Sequence, residues 1–400
     1  MRGRISDIRA IKIYDSKGNE TIKVTAYGDE FTGSYIFGSQ ERTTNFKVYV
    51  SPDIAIERIE KVIKPALLSL NYYDQIFIDD LLISLDNTKN QSYLGANTIM
   101  ATSLAISRLA ANEVKFSLFK YLSSLNSIIL PIPIVSVFKG QDSNIIKEFL
   151  LIPGKFDDIF TASSALKKVI DKIYEECDKR NESILLDENG NRISPFSHSK
   201  ETLKLMNKAV DELGFENRFI FGVSISSKEV YDEVQSKYLI ENRYFSSSEL
   251  LDFYNELIEL KVKYFENPFD EKKNKLYIEL KDRHKNQILV CSNIENIINN
   301  KDCNSTLIKM SDYANLTEII KKCNKMKSMN ILNIASTANL ETEDSYLVDL
   351  CVALNIPFIR CGFINVAEKI SKINRLFDIK DLIGKDDYYF AYLDFFSFLF

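Results

Sequence analysis

Residues 131–153, PIPIVSVFKGQDSNIIKEFLLIP, place two short apolar runs one after the other, IPIVSVF and KEFLLIP. Two amphipathic helical stretches follow, near residues 160–179 and 199–213. From there to residue 377 apolar runs alternate with helical stretches, and the runs are FIFGVSI, KYFENP, ILVCSN, TLIKMS, ILNIAS and FIRCG. Eight strand-like runs, each followed by a helix from the third onward, predict an α/β fold. That fold is a (β/α)8 barrel beginning with two strands and two helices.

The sequence before this stretch follows a different period. Residues 8–37 alternate between apolar and polar side chains in three runs, IRAIKIYD, TIKVTAYG and FTGSYIF, and turn residues 16–19 join the first two. From Ser51 the period becomes helical, and another helical pattern runs from Ala96 to about Leu122. We therefore predict two domains: a strand meander plus helices (α+β) over residues 1–127 and the barrel over residues 128–400.

The composition excludes several classes of protein. A net charge of -5 argues against a nucleic-acid-coating protein, and two histidines cannot form a His-rich metal site. There is no GxGxxG or GxxxxGK[ST] motif, no signal-peptide pattern and no run of 18 apolar residues. Six cysteines without a CxxC pair are expected to be reduced thiols. We expect a cytoplasmic protein with no nucleic-acid or membrane partner.

Polar residues follow the predicted barrel strands at the end where barrel active sites lie. They are Glu148, Ser224, Glu266, Ser292, Lys309, Ser336, Thr337 and Arg360. Carboxylates, a lysine and an arginine in one barrel mouth make this end of the barrel the candidate site.

Several motifs follow the order of one known family. Residues 15–19, DSKGN, are similar to that family's DSRGNPT, and residues 94–121 are similar to its long helix that begins GANA. Residues 147–149, KEF, resemble part of QEFMILP; residues 266–270, ENPFD, resemble EDPFD; and residues 341–344, ETED, match GETED without its glycine. From residue 15 to about residue 377 the chain thus resembles the enolase (phosphopyruvate hydratase) family, and it is expected to share that fold.

The resemblance implies roles for four residues. In enolases a lysine removes the proton alpha to the carboxylate of 2-phosphoglycerate, glutamates assist the departure of hydroxide, and two Mg²⁺ stabilise the ene-diolate. Lys309 stands at the position of the base, Glu188 at that of the acid, and Glu148 at that of its partner. Arg360 replaces the lysine that grips the substrate carboxylate, which keeps the charge but changes its reach.

The resemblance also implies a weakened magnesium site. The three carboxylate ligands of the family match Ser224, Glu266 and Ser292, and the serine that binds the second Mg²⁺ matches Gln40. Mg²⁺ is a hard ion that is usually fixed by carboxylate oxygens. Only Glu266 is therefore retained as an expected metal ligand.

The groups that hold the substrate differ as well. The family's SHRSG motif, with its histidine and its phosphate-binding arginine, matches residues 336–340, STANL. Glu295 or Asp312 could reach in as a substitute metal ligand, which is the alternative to a lost site.

Three functional hypotheses follow. The favoured one is a pseudoenolase that has lost efficient dehydration and has a binding or structural role. The alternative is an active phosphopyruvate hydratase, a glycolytic lyase with a rebuilt Mg²⁺ site; Mg²⁺ is then its cofactor. A third is a metal-independent lyase or isomerase that uses Lys309 and Arg360. The resemblance implies a homodimer through the N-terminal domain, and an active enolase paralogue or a small anionic metabolite are further expected partners.

Some of these residues have structural roles as alternatives to functional ones. Lys309 is expected to pair with Glu266 or Glu188 rather than to act as a base. His198 and His284 are expected to be ordinary surface histidines.

Structural roles are also expected for the lysine-rich stretches and for the aromatic end of the chain. The lysines of residues 272–275 and 321–327 are expected to lie on solvated helix faces. The aromatic tail, residues 388–400, is expected to pack on the barrel or close an interface, with docking of a dedicated partner as the alternative.

Overall fold

A computed structural model of the chain defines its architecture. The described residues are 3–38, 47–123, 128–142, 144–180, 182–270, 274–291, 303–337, 340–383 and 388–390. Gln40, Ser292, Glu295 and residues 391–400 of the aromatic tail lie outside them.

The N-terminal part begins with a three-stranded antiparallel sheet. Its strands, paired in the order β1-β2-β3, are β1 (Asp7–Tyr14), β2 (Glu20–Tyr27) and β3 (Thr32–Ile36). In the turn between the first two, the Asp15 carboxylate accepts hydrogen bonds from the amides of Lys17 and Asn19, both at 2.9 Å. The antiparallel pairing of β1 with β2 confirms the predicted hairpin. The aspartate stabilises its turn because it satisfies backbone donors there.

Helices cover one face of this sheet. They are α1 (Pro52–Arg58), which runs through the π-helical turn Ile59–Ile63 into α2 (Lys64–Leu67), then α3 (Gln75–Asp86), α4 (Ala96–Glu113) and α5 (Leu118–Leu122). The predicted helix starts at Ser51 and Ala96 are confirmed; Ser51 caps α1 by accepting from the Ile54 amide. A Cβ on Gly33 would lie 2.0 Å from the Leu109 amide nitrogen, so glycine lets α4 approach β3 closely.

The second part is a closed barrel. Its strands are β5 (Ile132–Lys139), β6 (Ile146–Pro153), β7 (Phe219–Ile225), β11 (Val262–Glu266), β12 (Ile288–Cys291), β13 (Ser305–Ile308), β14 (Leu332–Ser336) and β15 (Phe358–Phe363). They close in the order β11-β12-β13-β14-β15-β5-β6-β7. Strand β6 is antiparallel to β5 and β7, and the other pairs are parallel. The predicted fold is confirmed in all eight strands.

Helices surround the barrel. They are α6 (Ile159–Lys179), α7 (Ser199–Glu212), α8 (Ser247–Glu259), α9 (Asn274–Arg283), α10 (Leu316–Ser328), α11 (Tyr346–Ala353) and α12 (Ala367–Ile383). Between β7 and α8 the chain forms a small antiparallel sheet that the sequence did not predict. Its strands are β8 (Tyr231–Asp232), β9 (Lys237–Ile240) and β10 (Arg243–Phe245).

Buried polar contacts join the two parts. The Asp79 carboxylate, on α3, accepts from the backbone amide of Thr317 at 2.9 Å and from its hydroxyl at 2.6 Å, at the start of α10. Arg108, on α4, makes a two-pronged ion pair with Asp344, with both N–O distances 2.9 Å. These contacts fix the N-terminal helices against the barrel.

The cysteine prediction is wrong in part. Cys291, at the end of β12, and Cys303, just before β13, form a disulfide with a Cα–Cα distance of 6.0 Å. The two strands are neighbours, so their parallel pairing brings together two cysteines 12 positions apart. The other four cysteines are buried thiols, as expected.

Two further observations concern the chain end and the membrane prediction. Tyr388–Phe390 form a short strand, β16, that pairs in parallel with β4 (Ile128–Leu130), directly before the first barrel strand. This places the start of the aromatic tail beside the barrel. In the described ranges, every helix is too short or too polar to cross a bilayer.

Candidate active site

The strand order carries the predicted polar residues to one end of the barrel. Because β6 runs against its neighbours, Glu148 near its start pairs with Ser224 near the end of β7. Ser224 in turn pairs with Glu266, the last residue of β11. Arg360, on β15, stands beside Ser336 at the same end. The residues of this barrel mouth thus come from five strands that meet at one rim.

The Arg360 guanidinium is the centre of the mouth. It is buried, with 6% of the residue exposed. Its Nε donates to Glu266 Oε2 at 3.1 Å, its Nη2 to Glu148 Oε2 at 2.9 Å, and its Nη1 to the Ser136 hydroxyl at 2.9 Å. All three nitrogens therefore have protein acceptors. Burial would lower the pKa of Arg360, but Glu148 and Glu266 outweigh it and raise the pKa above its ordinary value.

Glu266 accepts hydrogen bonds on both carboxylate oxygens. The Ser224 hydroxyl donates to Oε1 at 3.0 Å, and Oε2 accepts from Arg360 and from the Tyr264 hydroxyl, the latter at 3.1 Å. Burial would raise the pKa of Glu266, but the Arg360 guanidinium and the Lys309 ammonium lower it below its ordinary value. Glu266 is consequently held as an anion.

Glu148 is the second carboxylate of the cluster. Its Oε2 accepts from the Ser136 hydroxyl as well as from Arg360. The side chain is 30% exposed, against 11% for Glu266, so Glu148 lies nearer to solvent. One guanidinium thus bridges two carboxylates on β6 and β11, the strands on either side of β7.

Lys309 follows β13 and is half-buried. Its charge lowers the pKa of Glu266, yet no carboxylate among the described residues lies within ion-pair distance of its ammonium. The predicted direct pairing of Lys309 with Glu266 or Glu188 is therefore wrong. Arg360 takes Glu266 because its planar group reaches two acceptors on different strands at once. No contact joins Asp312 to Glu266 in the described part of the chain.

Glu188 lies outside this cluster. Its side chain is exposed, in a loop whose Ile193 bridges to Lys139 at the end of β5. The neighbouring Asp187 is held by Lys139 at 3.4 Å, so the loop stands at the edge of the mouth. No contact connects Glu188 with Arg360 in the described residues, and the structure does not bring the predicted acid into the bonded group.

Residues that the sequence analysis did not select complete the site. Ser136 and Tyr264 donate to the carboxylates, and Lys369 donates to the Thr337 hydroxyl at 3.0 Å. Tyr264 could have been found, since it stands two positions before Glu266 and strand residues i and i+2 share a face. Burial lowers the pKa of Lys369, and Glu341 acts against that shift.

The described residues do not fit the magnesium site that enolases use. Glu266 is the one carboxylate at the three matching positions, and its oxygens are occupied by Ser224, Tyr264 and Arg360. The described residues contain no group of three carboxylate, histidine or cysteine side chains placed to hold a metal ion. The mouth is also balanced, because two carboxylates already face two cations. A divalent ion here would have to displace a guanidinium or add two unbalanced charges.

Comparison with known families agrees with this barrel and its N-terminal sheet. A family model described as the enolase C-terminal TIM barrel domain matches residues 127–395, and one described as the enolase N-terminal domain matches residues 5–122. The chain belongs to the enolase family. The resemblance seen from residue 15 to about residue 377 is thereby confirmed.

Individual enolases match over nearly their whole length. The chain is 31% identical to a protein named enolase from Metallosphaera sedula, over 95% of this chain and 97% of the relative. It is 29% identical to an enolase from Sulfurisphaera tokodaii and 27% to one from Saccharolobus solfataricus, each over 96% of this chain and 97% of the relative. The similarity to enolases thus extends over almost the whole chain.

Proposed function

We propose that this enolase-family protein has lost efficient magnesium-dependent conversion of 2-phosphoglycerate to phosphoenolpyruvate. Its barrel mouth instead serves as a metal-free binding site for a small anion. One observation carries the proposal: the Arg360 guanidinium is bonded to both Glu148 and Glu266. The carboxylates that could attract a cation are engaged by the protein itself.

The chemistry of dehydration explains why this matters. The substrate gains negative charge as its alpha proton leaves, and preorganised positive charge must stabilise that change. Losing one such contact typically costs about 10²–10³ in rate. Here Arg360 is engaged within the protein, and Thr337 matches the histidine of the family's SHRSG motif.

The half-buried Lys309 ammonium is the cation best placed to meet an anion. It has no ion-pair partner among the described residues, unlike Arg360. A carboxylate or phosphate could accept from it without displacing a protein contact. The expected ligand is therefore a small anion that needs one strong cationic contact.

A second candidate function is active phosphopyruvate hydratase. It is favoured by the full-length match to proteins named enolase and by Lys309 at the position of the family's base. It requires metal ligands other than those at the mouth described above. The homodimer, the paralogue partner and a cytoplasmic location stay predictions.

The test is turnover of 2-phosphoglycerate with saturating Mg²⁺, with Lys309→Ala purified in parallel as the background control and a catalytically active enolase as the reference. We expect the chain to match Lys309→Ala and to fall at least roughly 10³-fold below the reference. We also expect inorganic phosphate or 2-phosphoglycerate to bind without metal, and more weakly to Lys309→Ala. Mg²⁺-dependent turnover that disappears in Lys309→Ala would establish the second candidate instead.

A further inference from the structure

A groove lies between the N-terminal helices and the barrel, distinct from the barrel mouth. Its volume is about 440 Å³. The lining residues are Lys47, Asp80, Ile83, Gln91, Asn315, Thr317, Glu318, Lys321, Lys322 and Lys325. Four lysines thus face two carboxylates, although the chain as a whole has a net charge of -5.

The three lysines of α10 have no partner among the described residues. Lys321, Lys322 and Lys325 lie one, three and four positions apart, so they share one side of the helix. Glu318 does not neutralise them: it accepts from Lys47 at 3.3 Å and from the Ala314 amide at 2.7 Å. Three cations on one groove wall thus make no direct ion pair in the described structure.

Gln91 supplies a second, independent observation. The residue is 6% exposed and lines the groove, and its amide oxygen is buried without a hydrogen-bond partner in the described structure. A buried acceptor is normally satisfied by a protein group or by a bound molecule. A ligand with an N–H or O–H group could satisfy this one.

The base of the groove is fixed rather than loose. The α10 end is held by the bonds of Thr317 to the buried Asp79, and the Leu316 amide donates to the Ser103 hydroxyl at 3.1 Å. Both Asp79 and Ser103 belong to the N-terminal helices. The start of α10, and with it the wall that carries the lysines, is therefore fixed against the N-terminal helices, as a preorganised site requires.

We propose that this groove binds a small molecule with several phosphate groups and a hydrogen-bond donor, the chemistry of a nucleoside triphosphate. The three lysines of α10 would contact the phosphates, and the Gln91 amide oxygen would accept from the sugar or base. Asp80, the remaining carboxylate of the groove, disfavours a ligand that is anionic along its whole length. The site is independent of the function proposed for the barrel mouth.

The test is calorimetric titration of the full chain with ATP and with inorganic triphosphate, both without divalent cations and at low salt. The groove variant is Lys321→Gln/Lys322→Gln/Lys325→Gln. Its matched control is Lys168→Gln/Lys204→Gln/Lys327→Gln, which removes the same charge from exposed lysines that do not line the groove. We expect the groove variant to bind both ligands at least roughly tenfold more weakly and the control to bind them nearly normally.

Gln91→Leu separates the two parts of the site. It is expected to weaken the binding of ATP and to leave the binding of inorganic triphosphate unchanged, because triphosphate lacks the sugar and base whose N–H and O–H groups would donate to the amide oxygen. In the Lys309→Ala background, which impairs the barrel-mouth site, the groove variant is expected to weaken both ligands by the same factor as in the wild type. Equal losses in the groove variant and the control would overturn the proposal, as would the absence of binding or an equal effect of Gln91→Leu on both ligands.

Discussion

The barrel mouth and the α10 groove both contain several charged side chains. The two regions differ in whether those side chains have hydrogen-bond or ion-pair partners within the protein. In the mouth every nitrogen of Arg360 has a protein acceptor, and both Glu266 oxygens accept protein donors. In the groove three lysines have no carboxylate partner within the described structure. Charges satisfied internally contribute to the integrity of the fold, whereas unsatisfied ones are available to a ligand. The motifs at the mouth identify the chain as a member of the enolase family. The groove has more charged side chains that are available to a ligand.

The largest expected effect comes from removing the central cation. Arg360→Met leaves Glu148 and Glu266 without their shared partner and should lower the free energy of unfolding by about 3–5 kcal/mol at neutral pH. The measurement is denaturant unfolding. Arg243→Met is the matched control, because Arg243 is 71% exposed and pairs loosely with Glu249; we expect it to cost less than about 1 kcal/mol. Equal costs would contradict the assignment of Arg360 as the centre of the mouth.

The same variant should change how stability depends on pH. In the wild type the lowered pKa of Glu266 gives stability above the unfolded-state pKa that is lost as pH falls through the folded-state value. Without Arg360, burial should raise the pKa of Glu266 above its unfolded-state value. Ionised Glu266 then destabilises the folded variant as pH rises, and this loss disappears when the pH falls. The stability gap between wild type and Arg360→Met should therefore narrow from about pH 7 to about pH 5. Unfolding curves at both pH values check this, and a gap that widens on acidification would be the contrary result.

A smaller effect is expected from one donor to Glu266. Tyr264→Phe removes a buried hydrogen bond to a carboxylate and should cost about 1.5–3 kcal/mol. Tyr254→Phe is the matched control, since that equally buried tyrosine donates to the neutral carbonyl of Pro268 and should cost about 1 kcal/mol. Denaturant unfolding of both variants ranks them. The reverse order would mean that Glu266 is not held as an anion.

The groove should give the smallest effect on stability. Replacing Lys321, Lys322 and Lys325 singly by glutamine should change the free energy of unfolding by no more than about 0.5 kcal/mol each, because no ion pair is broken among the described residues. Adding phosphate at low salt should raise the thermal midpoint of the wild type more than that of the variants. Large losses of stability without ligand would show that these lysines are structural.

Most of the fold could be predicted from the sequence because the strand runs are apolar and regularly separated by helices. The sheet β8–β10 was missed, since its strands are only two to four residues long and its turn uses Glu241 and Asn242 with positive φ. Asparagine is a common turn residue, but glutamate before it does not give the turn signal that Asn-Gly or Asp-Gly gives. The disulfide was not predicted because Cys291 and Cys303 are brought together by the pairing of β12 with β13. The spacing of the two cysteines in the sequence does not indicate that pairing.

The site was predictable in position but not in bonding. The strand-end rule placed Glu148, Ser224, Glu266 and Arg360 at one rim, which the register confirms. Glu266 binds the cation whose side chain is long enough to reach it across the barrel, which is Arg360. The separation of these residues in the sequence gives no information on that reach. The expected Lys309 pairing failed for this reason. Glu188 lies apart because it belongs to the exposed loop between α6 and α7, which bridges to the end of β5 through Ile193 and not through Glu188.

The most direct test is a calorimetric titration of the wild-type chain with Mg²⁺ in the presence of 2-phosphoglycerate, beside a catalytically active enolase. If Arg360 already neutralises the carboxylates of the mouth, the chain should bind no Mg²⁺ at concentrations that saturate the active enzyme. Stoichiometric Mg²⁺ binding at those concentrations, abolished by Glu266→Gln, would contradict a metal-free mouth.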